Sequence, residues 1–253
     1  MIRVCAGGRT VDAAAFVFDK DGLLFESRQF WIALSEARLL QIRESCTMAL
    51  AREWADCFGV ETTDGVQVSA VDPYGILAVA SPEEEITATA ALIVQNCRLC
   101  WTEARDLAGA IFQQADRKLD LRRALKPRPG FPDIMARLRC LGVPYGVATS
   151  DTVERALASF QLFDDPGALS FVISPREVKR GKPYPDMLET VSRRLSVPQE
   201  SLVMVGDSYV DVEMARRAGA IGIGIPETEE MRERMIAEGA IVVDSLEQIR
   251  FDG

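Results

Sequence analysis

Apolar residues in this chain gather into short continuous runs of strand length, separated by longer stretches with helical spacing. The runs cover residues 13–18, 144–148, 171–173, 202–205, 220–225 and 241–243. They are continuous rather than alternating, the mark of strands covered on both faces in a parallel sheet. Between them the spacing predicts helices over 131–141, 153–160, 185–195, 210–218 and 229–238, the last two stopped by Gly219 and Gly239. The alternation after Gly130 predicts a doubly wound, Rossmann-like α/β domain whose parallel strands are joined by right-handed crossovers.

Residues 25–125 break this rhythm. Helical patterns run over 28–40, 44–58 and a long stretch from Ser81, where Ser81-Pro82-Glu83-Glu84 combines a cap hydroxyl, a proline at the first helical position and an acid three residues on. Residues 59–73, with Asp64-Gly65, read as an irregular connection. The expected division is therefore an α/β core of residues 1–24 and 126–253, interrupted by an all-helical insertion of residues 25–125. Residues 2–10, with Gly7-Gly8, predict a small extra hairpin.

With 48% hydrophobic and 26% charged residues over 253 positions, the chain falls among ordinary globular domains. No apolar run reaches the roughly 18 to 20 residues that span a bilayer, and the N-terminus lacks a signal-peptide layout, so no membrane partner is expected and the cytoplasm is the default. A net charge of −9 opposes a phosphate backbone, so no nucleic-acid partner is expected, while a small anion can still be held where a few cations and helix N-termini converge. The six cysteines lack a disulfide-framework spacing, and the one C-x-x-C, Cys97 and Cys100, has neither a second such pair nor a histidine to complete a zinc site; it reads as structural, buried on a helix. No pattern in the chain specifies an oligomer. The absence of histidine excludes Ser-His-Asp and Cys-His nucleophilic systems, which leaves acid and base work to carboxylates, lysine, tyrosine or thiol.

The first run ends in Asp19 and Asp21 around a turn completed by Gly22. A D-x-D pair is by itself more often a surface turn, but at the carboxyl end of a strand beside an insertion it faces the crevice where open α/β sheets bind ligands. The second run ends in Thr149-Ser150-Asp151, where a hydroxyl and backbone N–H groups suit phosphate oxygens; a Ser or Asp helix cap is the alternative. Lys182 stands between Gly181 and Pro183 ahead of a helix, in a segment that its prolines stiffen. Asp207 closes a further strand, and Asp211, one helical turn on, is placed to face the same point.

In order, D-x-D-G, a strand-terminal Thr149 or Ser150, K-P-x-P-D and G-D-S-x-x-D resemble the four motifs of the haloacid dehalogenase superfamily, over nearly the whole core. The insertion resembles the helical cap of the phosphoglycolate phosphatase and sugar-phosphate phosphatase branches, and Leu23, where threonine is commoner, is shared with some of the latter. The resemblance implies a magnesium-dependent phosphatase acting on a small phosphorylated metabolite, phosphoglycolate-like or a sugar phosphate, with a cap that selects it. It implies Asp19 as nucleophile, forming an aspartyl-phosphate, and Asp21 as general acid and then base. Lys182 would neutralise the transferring oxygens, and Gly22, Thr149, Ser150 and Lys182 would hold the phosphate. Magnesium would bind Asp19, the Asp21 carbonyl and Asp207 directly and Asp211 through a water. Asp21 sets the chain apart from the dehalogenases and phosphonate hydrolases, which replace it. A phosphomutase is the nearest alternative, although that branch usually relies on a cap histidine; a binding module without turnover is the alternative from another class. Four side chains of the insertion, Arg28, Trp31, Arg52 and Trp54, are candidates to face a ligand, against the plainer reading of solvated arginines and core tryptophans.

Overall fold

The computed structural model describes residues 1–63, 67–73 and 75–252, which form two compact units, Met1–Glu26 with Pro127–Gly253 and Ser27–Lys126. In chain order the first unit opens with β1 (Ile2–Ala6), β2 (Arg9–Ala13) and β3 (Ala15–Phe18). The second unit holds α1 (Ser27–Ser45), α2 (Met48–Phe58), β4 (Val60–Thr63), β5 (Gln67–Val71), α3 (Ile76–Val79), α4 (Pro82–Cys97), α5 (Trp101–Lys118) and α6 (Leu121–Ala124). The chain then returns to the first unit with α7 (Asp133–Cys140), β6 (Tyr145–Ala148), α8 (Val153–Gln161), β7 (Phe171–Ile173), α9 (Asp186–Leu195) and β8 (Leu202–Gly206). It ends with α10 (Tyr209–Ala218), β9 (Ile221–Gly224), α11 (Glu229–Ala237), β10 (Ile241–Val242) and β11 (Arg250–Asp252).

Six strands make a parallel sheet in the order β10-β9-β8-β3-β6-β7, the doubly wound arrangement expected from the continuous apolar runs. From β3 the chain winds one way through β6 and β7, then crosses back to β8 on the other side of β3 and continues outward. The winding thus reverses between β3 and β8, and the crevice beyond their carboxyl ends is where such sheets hold ligands. Along β3 the side chains alternate between faces: Ala15 and Val17 pack with Met187, Leu188, Val191 and Met214 of α9 and α10, while the Phe16 ring meets Phe251 of β11 edge-on at 5.5 Å. All four residues of β3 are buried, so this strand is fixed from both sides.

The expected N-terminal hairpin forms as β1 and β2, with Gly7 and Gly8 both at positive φ in its turn. Its third strand, β11, pairs with β1 and was not foreseen, because a three-residue segment at the chain end carries no periodic signal.

The second unit departs from the all-helical expectation. The stretch read as irregular supplies β4 and β5, an antiparallel pair with a register shift between Glu61 and Thr62; the Asp64-Gly65 position lies outside the described residues. The single helix expected over 44–58 starts at Met48, because Thr47 accepts a hydrogen bond from Leu50 N and caps a new helix. Ser81 caps α4 in the expected capping box, its N–H donating to Glu84 Oε2 at 2.7 Å. Trp54 is fully buried, stacks on Phe58 at 4.3 Å and donates its indole N–H to Thr89 Oγ1 at 2.9 Å, so it is a core residue. Arg28 and Arg52 are exposed and Trp31 is half-buried. Arg38 is buried, donates to the Phe112 carbonyl at 2.7 Å and pairs with Asp116 at 3.0 Å, which ties α1 to α5. Cys97 and Cys100 contradict the buried reading: Cys97 is half-buried at the end of α4 and Cys100 is exposed ahead of α5. Among the described residues no helix is long and apolar enough to cross a membrane.

Candidate active site

The site is built where β3 and β8 end side by side. Phe18 pairs with Val205, and Asp19 N donates to the Val205 carbonyl at 2.9 Å, so Asp19 and Asp207 leave adjacent strands at nearly the same level. After Asp19 the backbone turns tightly: Leu24 N and Phe25 N both reach the Lys20 carbonyl, and Gly22 N donates to the Phe25 carbonyl at 2.8 Å. The turn is pinned from beneath by Phe25, whose ring meets those of Phe131, Phe160 and Phe163 at 5.2, 6.3 and 5.5 Å. Gly22 has φ of +88°, and a Cβ there would overlap the Asp207 carboxylate. Glycine is therefore required by clearance. The N–H of Gly22 is engaged by the Phe25 carbonyl.

Asp211 sits in the first turn of α10, where its Oδ2 accepts from Ser208 Oγ at 2.6 Å and Ser208 N at 3.2 Å. Its other oxygen faces Lys182 Nζ at 2.6 Å, and the same ammonium lies 2.5 Å from Asp19 Oδ1. Lys182 is presented by a braced loop: Tyr184 N closes on the Gly181 carbonyl, and Arg180 grips Asp186 through two nitrogens, at 3.3 and 2.9 Å, while its guanidinium lies over the Tyr184 ring. Asp19, Asp207 and Asp211 each offer a ligand oxygen, all within 4.8 Å of one another.

The electrostatics follow from burial and crowding. Burial drives the Asp19 carboxyl up to about 6, against the pull of Lys182 and with a further push from Asp211. Asp207 is raised well above the usual carboxylate range by burial and by its neighbours Asp19 and Asp211. Burial works against the Lys182 charge, but the carboxylates of Asp19 and Asp211 outweigh it and hold the ammonium protonated. Three close carboxylates sharing one ammonium leave an excess of negative charge, and their hard oxygens fit a divalent cation such as magnesium.

Thr149 ends the run of β6; it is buried, its N–H donates to the Ile173 carbonyl, and its hydroxyl accepts from Asp151 N at 3.0 Å. Ser150 is half-buried beside it. Neither Ser150 nor Asp151 caps α8: that role belongs to Thr152, whose hydroxyl accepts from Arg155 N. Asp151 instead belongs to a charged array that sequence reasoning missed. The Lys20 ammonium, fully buried, touches Asp21 Oδ1 at 2.6 Å and Asp151 Oδ2 at 3.0 Å, and Arg155 Nη1 holds Asp151 Oδ1 at 2.9 Å. Burial raises the Asp21 carboxyl despite the Lys20 ammonium, whereas Lys20 and Arg155 together overcome burial at Asp151 and lower it. The available signal was a lysine standing inside a nine-residue stretch, 16–24, that is otherwise apolar apart from the two aspartates and a glycine.

The profile of haloacid dehalogenase-like hydrolases matches residues 13–219, which includes every residue of this constellation. The chain belongs to that family. Among individual haloacid dehalogenase-like relatives, phosphoglycolate phosphatase of Escherichia coli (strain K12) is 29% identical over 97 residues, 38% of this chain and 38% of that protein. Phosphoglycolate phosphatase of Salmonella paratyphi A is 26% identical over 122 residues, 48% of each. The chain thus spans less than half the length of these curated relatives. The fold extends further than the sequence likeness: CbbY from Rhodobacter sphaeroides, solved in complex with phosphate, superposes with a TM-score of 0.58 at 21% identity, covering 92% of this chain and 95% of that one. A hydrolase from Pseudomonas syringae gives 0.59 at 17% identity over 93% and 95%.

Proposed function

We propose that this haloacid dehalogenase-like hydrolase is a magnesium-dependent phosphatase that removes phosphate from a small phosphomonoester, phosphoglycolate-like or a sugar phosphate, through an aspartyl-phosphate. The observation that carries this reading is the convergence of Asp19, Asp207 and Asp211 within 4.8 Å, with Lys182 bonded to two of them. Phosphoryl transfer calls for positioning and charge neutralisation more than for covalent elaboration, and these residues supply both.

Asp19 attacks phosphorus with the carboxylate oxygen that Lys182 leaves uncommitted, and the leaving alkoxide takes a proton from Asp21. Asp21 then accepts a proton from the water that cleaves the aspartyl-phosphate, which restores both carboxyl groups. Lys182 holds Asp19 in line and offsets charge on the transferring oxygens, while Thr149 and Ser150 steady the phosphate. Magnesium would be held by Asp19, the Asp21 carbonyl and Asp207. Asp211, whose oxygens already serve Ser208 and Lys182, would contribute through a water. The bound ion supplies Lewis-acid stabilisation of the transferring phosphoryl group. Choice among phosphomonoesters is assigned to the second unit, Ser27–Lys126.

The test is p-nitrophenyl phosphate turnover with magnesium and with a chelator. Release of free phosphate that stops on chelation is expected. No turnover of any phosphomonoester, or rates indifferent to chelator, would remove the reading, and a requirement for a sugar bisphosphate would reassign the chain to phosphomutase chemistry.

A further inference from the structure

Lys20 lies between the two aspartates of the D-x-D turn, yet its side chain is completely buried. Its ammonium is one link in an array of alternating charge: Arg155, Asp151, Lys20 and Asp21, with separations of 2.9, 3.0 and 2.6 Å. Asp151 is further fixed by Thr152 N, which donates to its Oδ1 at 2.7 Å. Burying an ammonium is costly unless it is paired, and apolar replacement of a buried ion array is often neutral or stabilising. Stability is thus a poor account of a lysine at this position. Orientation is a better one. The Asp21 side chain keeps 16% of its surface exposed, and its Oδ1 is committed to Lys20. Any proton exchanged with a ligand must then pass through Oδ2.

We propose that Lys20, anchored by Asp151 and Arg155, is a positioning residue that clamps Asp21 Oδ1 and so aims Oδ2 at the leaving-group oxygen. The proposal rests on the phosphatase reading above. In the step it governs, the Asp19–phosphorus bond forms as the phosphorus–oxygen bond to the leaving group breaks, and the proton on Asp21 Oδ2 moves to that departing oxygen. In the return step water adds to phosphorus, the Asp19–phosphorus bond breaks, and the water proton returns to Oδ2.

The consequence is a selective dependence on the leaving group. A poor leaving group needs the proton and a good one does not, and kcat/KM reports only events up to the first transfer. Lys20→Met should lower kcat/KM for phenyl phosphate by about 100-fold, the lower end of the usual range for general acid catalysis, and for 2,4-dinitrophenyl phosphate by less than about threefold. Equal losses on both esters, or no loss on phenyl phosphate, would overturn the positioning role. Circular dichroism establishes whether the variant folds. If it does not, Asp151→Asn, which loosens the anchor and keeps its shape, should give the same selectivity at about 10-fold, and an unselective loss there overturns the proposal equally. Wild-type protein that hydrolyses neither ester with magnesium present would sink the phosphatase reading itself, whereas active wild type with an unselective variant sinks only the role of Lys20.

Discussion

Asp19 is caught between an ammonium and two carboxylates, and the balance among them determines how it behaves. Burial and Asp211 raise its carboxyl to about 6 while Lys182 opposes them, so at neutral pH the charged form is held at a cost to the folded state. Asp19→Asn should therefore leave the melting temperature unchanged or higher while lowering phosphatase turnover by at least about 1000-fold, as expected for loss of a covalent nucleophile. Near wild-type rates in that variant would dismiss the nucleophile assignment. Gly22 gives a second expectation at this scale. Its φ of +88° and the closeness of Asp207 mean that Gly22→Ala brings strain of about 1–2 kcal/mol together with displacement of the carboxylate. Calorimetric titration should show magnesium affinity falling at least about 10-fold; unchanged affinity would show that Asp207 is not a ligand.

The elements were legible in the sequence to very different degrees. β6, β7, β8 and α8 to α10 fall within a residue or two of the expected ranges, because continuous apolar runs and amphipathic spacing report burial directly. The hairpin of β4 and β5 was missed, since its alternation is short and half-exposed and resembles a polar connection. Asp19, Asp21, Asp207 and Asp211 are legible because they sit at strand ends or a helix start, where the chain itself advertises a crevice, and Lys182 because prolines stiffen its loop ahead of a helix. The pairing of Lys20 with Asp151 is not legible, because a lysine in sequence reads as a solvated charge and Asp151 as a candidate helix cap, and only the register of β3 against β6 brings the two together. In the second unit, Trp54 is a core residue rather than a ligand-facing one, its indole N–H bonded to the buried Thr89 hydroxyl. Trp54→Phe should cost about 1–3 kcal/mol in urea unfolding, the penalty of leaving the buried Thr89 hydroxyl without its partner. A change below about 0.3 kcal/mol would show that the bond is not maintained in solution.

Across the whole molecule, a chain of net charge −9 concentrates cations where they are needed: Lys182 against Asp19 and Asp211, and Lys20 with Arg155 around Asp151. What remains is a local surplus of carboxylate that a divalent ion would relieve. Because the Asp19 carboxyl is raised from 3.8 to about 6, the folded state binds its proton more tightly than the unfolded chain does. Its contribution to stability is therefore full below about pH 4 and is lost as pH rises through about 6. Magnesium should raise the melting temperature most above about pH 6, with the increment shrinking below it as protons compete for the same oxygens. An increment that does not vary with pH would mean the ion binds elsewhere. The central claim, that Asp19 carries the phosphoryl group, is tested most directly by quenching the enzyme during turnover, reducing it with borohydride and analysing its peptides by mass. Conversion of Asp19 to homoserine, with every other aspartate intact, is the predicted result; active turnover with Asp19 unmodified, or homoserine at another position, would contradict it.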